Sequence, residues 1–412
     1  MKQQLRRDAN TIIHTAINAV LPDAAVKKAL EGKVFPGRVV LVAAGKAAWQ
    51  MAKAAYDSLG SRIDSGIVIT KYGHVMGPVG DLLCREAGHP VPDKNGLDAT
   101  AEALRMVSDL RTEDTVLFLL SGGGSALFEL PKIELTELQD ITQQLLAVGA
   151  DIVQINTIRK RLSMVKGGRF AQLCMPAHVY TVILSDILGD PLDMIASGPA
   201  FPDDSTCEQA EKIAEQYQLK LSDRARACLK IETPKIITNV TTQVTGSVRE
   251  LCAAAEKACC ALGYRTTVLT EDLCCQAKDA GVWLAEFAKE YAGKGEKRAF
   301  IAGGETVVKL TGTGKGGRNQ ELALSAASVI DGIVGTAVFS VGSDGTDGPT
   351  DAAGGYVDWQ TAHTLRLHGV QIDSVLRNND AYQALQKTDG LIITGPTGTN
   401  VNDVTVLLIN GR

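Results

Sequence analysis

The sequence predicts an α/β protein of two domains, the first built on a mostly parallel sheet. Three observations carry this expectation. At 412 residues the chain is too long for a single hydrophobic core. Short apolar runs alternate with helix-length segments, once before residue 232 and again after it, as βαβ units do. Glycine-rich polar stretches follow several of those runs, which is where open α/β sheets bind ligands.

Residues 7–31 read as two helices broken at Pro22-Asp23. Arg38–Ala43 is an apolar run of strand length, and Lys46–Leu59 is an Ala-rich helix. Ile67–Thr70 is a second strand; Gly77-Pro78 and His89-Pro90-Val91-Pro92-Asp93 mark loops. A helix over Asn95–Leu110 leads to the strand Thr115–Leu120. Helices over about 134–148 and 151–162 precede the strand Val179–Leu184. Pro191–Pro202 is a connector, followed by helices near 206–218 and 221–229. Thr233-Pro234 opens the second alternation, so the domains are set at 1–232 and 233–412. Its strands are Lys235–Thr238, Thr266–Thr270, Ala299–Ala302 and Thr336–Val341, with helices around 247–262, 275–292 and 318–330. Thr405–Ile409 is a last strand, so the chain ends inside a sheet; this strand is free to pack back across the boundary.

The charge pattern excludes some partners. Net charge is −5, with Lys and Arg scattered, which argues against a nucleic-acid or acidic-membrane surface. No apolar run approaches the roughly 18 residues of a membrane span. The first eight residues are basic without an apolar h-region, unlike a signal peptide. The nine cysteines include no C-x-x-C, and Cys252 and Cys259 share a helical stripe with Leu251, Ala255 and Leu262. Core packing in a reducing cytoplasm explains the cysteines better than disulfides or zinc.

The strand Thr115–Leu120 runs straight into Ser121-Gly122-Gly123-Gly124-Ser125. Bare backbone N–H groups and two hydroxyls suit an anion, most often phosphate. A tight turn is the plainer reading of an isolated glycine run, and the other loops shift the balance. Ala43-Ala44-Gly45-Lys46 joins a strand to a helix and puts a lysine at the positive end of a helix dipole, a conflict that a bound anion removes. The Walker spacing is absent.

Asp186 and Asp190 lie four apart beyond the strand ending at Leu184. They suit Mg²⁺ or a substrate proton, although Gly-Asp and Asp-Pro are also turn formers. Gly303-Gly304-Glu305-Thr306 follows a strand, and Gly312–Glu321 brings Lys315 and Arg318 to a helix start. Arginine can hold phosphate bidentately. Gly312, Gly314 and Gly317 match G-x-G-x-x-G, but the preceding Val307–Thr311 is short and charged. The loop Gly342–Asp351 carries three aspartates, which suggest metal or hydroxyl binding; its spacing fails the EF-hand pattern. Asn378-Asn379-Asp380 and Gly395–Asp403 suit a polyol or carboxylate. His89 alone among the histidines sits in a suggestive loop. No G-x-S-x-G triad and no H-E-x-x-H helix occurs.

Taken together, these segments resemble the class II glycerate kinases, the family whose C-terminal part is called MOFRL. The resemblance runs through Ala44–Ala48, Gly88–Asp93, Leu120–Leu127, Asn156–Lys160, Ser185-Asp186, Gly189–Pro191, Ile195–Pro199, Gly303–Thr306, Gly317–Glu321, Ser343–Thr350 and Gly395–Asp403. It implies ATP-dependent phosphorylation of D-glycerate at the 2-hydroxyl, with Mg²⁺. It also implies a larger Rossmann-like N-terminal domain, a smaller C-terminal α/β domain, and a site in the cleft between them. Lys46 and Arg318 match the lysine and arginine expected to be essential.

On this reading Lys46 and Arg318 neutralise the moving phosphoryl group, and Asp186 or Asp190 acts as base, Asp186 being the catalytic candidate, with the other left to the metal. Ser121, Gly122, Gly123, Gly124, Ser125, His89, Glu305, Lys315 and Asn319 bind substrate or phosphate. Asp190, Asp344 and Asp347 are the metal ligands. The partners are D-glycerate and ATP, without nucleic acid or membrane, and a homodimer is open. The alternative is an NAD(P)H-dependent hydroxypyruvate reductase, a label members of the family have carried. Gly45-Lys46-Ala47-Ala48 is no dinucleotide fingerprint, and the second strand ends in Thr70-Lys71 rather than an acid. A non-catalytic sugar-acid binding protein is a third reading, disfavoured by the many charged glycine loops.

Overall fold

The computed structural model describes residues 1–411 and divides into two compact units. One comprises Pro22–Ser185 and Asp190–Thr245. The other comprises Met1–Leu21, Asp186–Gly189 and the chain from Gly246 onward.

The first unit holds six strands: β1 (Val39–Ala44), β2 (Ser65–Lys71), β3 (Leu83–Ala87), β4 (Thr115–Leu120), β5 (His178–Leu184) and β6 (Val240–Gly246). Their order is β3-β2-β1-β4-β5-β6, and the first five run parallel. This is the order of a dinucleotide-type doubly wound sheet. β1 and β4 are buried along their whole length, which is why they read as unbroken apolar runs. The helix Ala48–Leu59 covers one face with Met51, Ala52 and Ala55. Phe118, Phe128 and Phe170 pack ring to ring at 4.6–5.5 Å.

The second unit holds β7 (Arg265–Leu273), β8 (Arg298–Gly304), β9 (Thr336–Gly342), β10 (Gly354–Asp358), β11 (Leu391–Ile392) and β12 (Asp403–Ile409), in the order β11-β10-β9-β12-β8-β7. This sheet is mixed. β7 and β8 are parallel, and β12 is antiparallel to both β8 and β9. β10 is antiparallel to β9 and β11.

Several boundaries differ from the sequence expectation. No strand forms over Lys235–Thr238; Ile236 is exposed, and the strand begins at Val240 and joins the first sheet. The units therefore part at 245/246 rather than near 232. The first helix, Lys2–Ala19, belongs to the second unit. Its stripe of Leu5, Ala9, Ile12, Ile13 and Ala16 packs with Leu251, Cys252, Ala255 and Cys259. β12 does not cross a boundary: it is an interior strand of its own unit's sheet. Cys252 and Cys259 are buried as expected, but Cys260, Cys274 and Cys275 are exposed.

Candidate active site

In the first unit the site grows from the ends of β1, β2 and β4. Gly45 follows β1 with φ +129°, and a Cβ there would fall 2.2 Å from Ser121 Oγ. This close approach lets Ser121 Oγ accept from Ala47 N at 3.0 Å, while Lys46 N donates to the Gly122 carbonyl at 2.9 Å. Lys46 lies just ahead of the helix Ala48–Leu59 rather than in its first turn. Its backbone carbonyl is held by Thr70 Oγ1 and lies 3.0 Å from His74 Nδ1. Among the described residues no acidic group pairs with the Lys46 ammonium.

Gly123 has φ +86°, and a Cβ on it would come within 3.0 Å of the His89 ring and 3.2 Å of Lys46 Cγ. The glycine run thus brings His89 and Lys46 against one stretch of bare backbone. The N–H groups of Gly122 and Gly123 make no hydrogen bond within the described protein. Burial, then the charges of Lys46, Lys71 and His74, push the His89 pKa below its ordinary value. Lys46 and Lys71 add positive charge to the surroundings of this half-buried imidazole. Lys71 and His74 were not singled out from the sequence, although Thr70-Lys71 ends a strand.

Ser125 anchors the far side of the loop. Its Oγ lies 3.0 Å from Ser197 Oγ, which donates to Asn156 Oδ1 at 2.9 Å. Arg159 donates to the Ser125 carbonyl at 2.9 Å. Ala196 and Ser197 have positive φ, a conformation that costs about 1–3 kcal/mol each and is held by its surroundings. The buried Lys166 donates to the Ala196 carbonyl and sits 3.6 Å from the buried Glu129. Burial lowers the Lys166 pKa to about 8. The motifs Asn156–Lys160 and Ile195–Pro199 therefore meet at the serine-glycine loop. Asp190 has positive φ, and its Oδ1 is buried without a hydrogen-bond partner.

In the second unit Arg318 opens the helix Arg318–Val329. It holds Asp403 with two donors, Nε to Oδ2 at 2.6 Å and Nη2 to Oδ1 at 3.0 Å. Its Nη1 meets Glu305 at 3.2 Å. Burial works against the charge, but the bonds to Asp403, with Glu305 and Asp347 nearby, raise the arginine's pKa. Glu305 also accepts from Asn402 Nδ2 at 3.1 Å, and Asn402 donates to the Asp186 carbonyl at 3.3 Å. Asp186 is half-buried, two residues past β5.

The glycine-rich loop before Arg318 has its backbone pinned from Thr311 to Lys315, while the N–H groups of Gly316 and Gly317 make no hydrogen bond within the described protein. Thr311 N and Gly312 N donate to Asn379 Oδ1, Thr313 N to Asn378 Oδ1, Gly314 N to the Asn378 carbonyl and Lys315 N to Asp380 Oδ1. The helix start is likewise occupied: Asn319 N and Gln320 N donate to Asp347. Asp347 is therefore a buried helix cap with both oxygens engaged, not an open metal ligand. Asn319 is buried and takes a bond from Ser340, so it faces the core rather than a ligand. Lys315 Nζ lies 4.2 Å from the Tyr382 ring centre, a cation–π contact. Asp344 Oδ1 accepts Thr346 N in a local turn. A cavity of about 740 Å³ opens beside the loop, walled by Glu305, Thr306, Val307, Leu310 and Arg318 among others.

Residues 8–230 match the family described as Domain of unknown function (DUF4147), and residues 298–403 match the MOFRL family. A Thermotoga maritima protein named D-glycerate 2-kinase is 51% identical, with 99% of each chain covered. This chain belongs to the class II glycerate kinase (MOFRL) family. Another relative, the Glycerate 2-kinase of Pyrococcus horikoshii, is 39% identical over 97% of this chain and 96% of its own. The crystal structure of a Thermotoga maritima glycerate kinase superimposes with a TM-score of 0.95 at 50% identity, covering 99% of this chain and 100% of that one. The MOFRL match ends at Asp403, the carboxylate that holds Arg318.

Proposed function

We propose that this chain transfers the γ-phosphoryl group of ATP to the 2-hydroxyl of D-glycerate. The observation that carries the reading is Lys46, which has no acidic partner among the described residues and whose Cγ would lie 3.2 Å from a Cβ on Gly123, next to the open N–H groups of Gly122 and Gly123. Such a seat favours an anion, either substrate carboxylate or phosphate. The relatives' names supply the acid and the hydroxyl.

In this mechanism Lys46 and the Gly122-Gly123 N–H groups hold negative oxygens. Arg318, fixed in direction by Asp403, supplies a second cation to the group in transfer. Stabilising that charge is the main task in phosphoryl transfer. Asp186 accepts the proton of the 2-hydroxyl as the new O–P bond forms. The bond between Pγ and the β,γ-bridging oxygen breaks, and ADP leaves.

Mg²⁺ takes one or two protein carboxylates and otherwise water and phosphate oxygens. No group of three metal-binding side chains stands together among the described residues. Asp190, with its unpartnered buried oxygen, fits such a shared ion; Asp347, with both oxygens engaged, does not. When bound, the ion neutralises phosphate charge. The nine free cysteines suit a cytoplasmic setting.

Hydroxypyruvate reduction is the weaker reading. The late G-x-G-x-x-G has the N–H groups of Gly312 and Gly314 taken up by Asn379 and Asn378, and the turn after β1 carries Lys46 where a dinucleotide fingerprint needs glycines. The test is a reaction of the protein with ATP and D-glycerate, followed by phosphorus and carbon NMR. ADP and 2-phosphoglycerate are expected. Phosphate on the 3-carbon would refute the assigned position. Loss of NADH absorbance with hydroxypyruvate, and no ADP with glycerate, would refute the kinase reading.

A further inference from the structure

Within the second unit, the cavity beside the pinned glycine loop has a composition that the unit's own packing does not explain. Leu310 is 80% exposed and Val307 50% exposed, although both are aliphatic and adjacent to the cavity. Exposed apolar surface of this kind in a concave wall marks a ligand or partner site. Thr306 lines the same cavity, is 4% exposed, and its hydroxyl has no hydrogen-bond partner. A buried hydroxyl left unpaired is destabilising, and a ligand's polar edge would satisfy it. Arg318 stands on the same wall. One cavity thus joins an apolar ledge, an orphan hydroxyl and a guanidinium, and at about 740 Å³ it is the size of a cofactor pocket.

We infer that this ledge, formed by Val307 and Leu310 with Thr306 at its back, binds the base and ribose of the nucleotide. This deepens the kinase reading above and rests on it for the identity of the nucleotide. The occupant is a purine nucleoside di- or triphosphate: a flat aromatic base against the aliphatic side chains, a ring nitrogen or amino group at the Thr306 hydroxyl, and the phosphates toward Arg318. The pinning of the loop by Asn378, Asn379 and Asp380 has a purpose in this arrangement. The N–H groups of Thr311 to Lys315 are thus taken up in holding the ledge rigid, so that binding does not have to order it.

The test is calorimetric titration of ADP into the full-length wild-type protein, Leu310→Glu and Val307→Lys. Both side chains are exposed, so neither substitution disturbs the core. Wild type should bind ADP, each variant should bind it at least about tenfold more weakly, and D-glycerate binding should be unchanged. ADP binding that is equal in all three proteins, or absent from wild type, overturns the ledge assignment. Phosphorylation of glycerate by wild type, with ADP affinity unaltered in both variants, removes the ledge and leaves the kinase. ADP binding lost in the variants, with no phosphorylated glycerate formed by wild type, removes the kinase and leaves the ledge.

Discussion

Arg318 and Asp403 form a two-pronged ion pair at 2.6 and 3.0 Å, with the carboxylate 6% exposed and the arginine 31%. The pair fixes the guanidinium plane while leaving part of it open. An ammonium cannot reproduce a forked contact. Arg318→Lys should therefore lower kcat by about 100-fold or more while the melting temperature holds, since oriented charge is what the transfer step needs. Steady-state kinetics with ATP and D-glycerate, with thermal unfolding alongside, check this.

Glu305 occupies the remaining edge of Arg318 and is half-exposed. An incoming anion must share that cation with it. Glu305→Gln should tighten the binding of ADP by a few-fold, in line with the roughly 0.2–1 kcal/mol of a solvent-screened pair. Competition binding with ADP measures it. Weaker binding would show that Glu305 positions the arginine rather than competing for it.

A methyl group on Gly123 would crowd the His89 ring at 3.0 Å and Lys46 Cγ at 3.2 Å, and the residue's φ is positive. Gly123→Ala should cost about 1–3 kcal/mol in stability from strain. Its effect on kcat should be far larger, because the loop that orders Lys46 and His89 must shift. Chemical denaturation and kinetics on the same variant separate the two effects.

Burial raises the Asp347 pKa to about 6, opposed by the N–H groups of Gln320 and Asn319 and assisted by the charge of Asp403. The folded state thus holds this proton more tightly than the unfolded state, whose value is 3.8. The stability tied to this proton is fully present below about pH 4 and is lost as pH rises through about 6. Two pK units correspond to an upper bound on the order of 3 kcal/mol. Denaturation of wild type and Asp347→Asn from pH 4 to 7 should show this slope in wild type and lose it in the variant.

Much of this architecture is legible in the sequence, for reasons particular residues make plain. β1 and β4 are buried on both faces, so they read as continuous apolar runs. β3 was missed because it is an edge strand carrying Arg85 and Glu86, and β10 because it begins with two glycines. The serine-glycine loop announced itself through composition. The roles of Asp347 and Asn319 did not: a carboxylate that caps a helix 28 positions earlier looks the same in sequence as a metal ligand. Likewise, only tertiary contacts reveal that Asn378 and Asn379 take up the N–H groups of the other glycine loop.

The most direct test of the account is the turnover of Lys46→Ala with ATP and D-glycerate, read as 2-phosphoglycerate formed per unit time. The account predicts a rate below about a hundredth of wild type, with an unchanged unfolding transition, because the lysine's role is electrostatic and it packs no core. A variant that retains more than about a tenth of the wild-type kcat would contradict it.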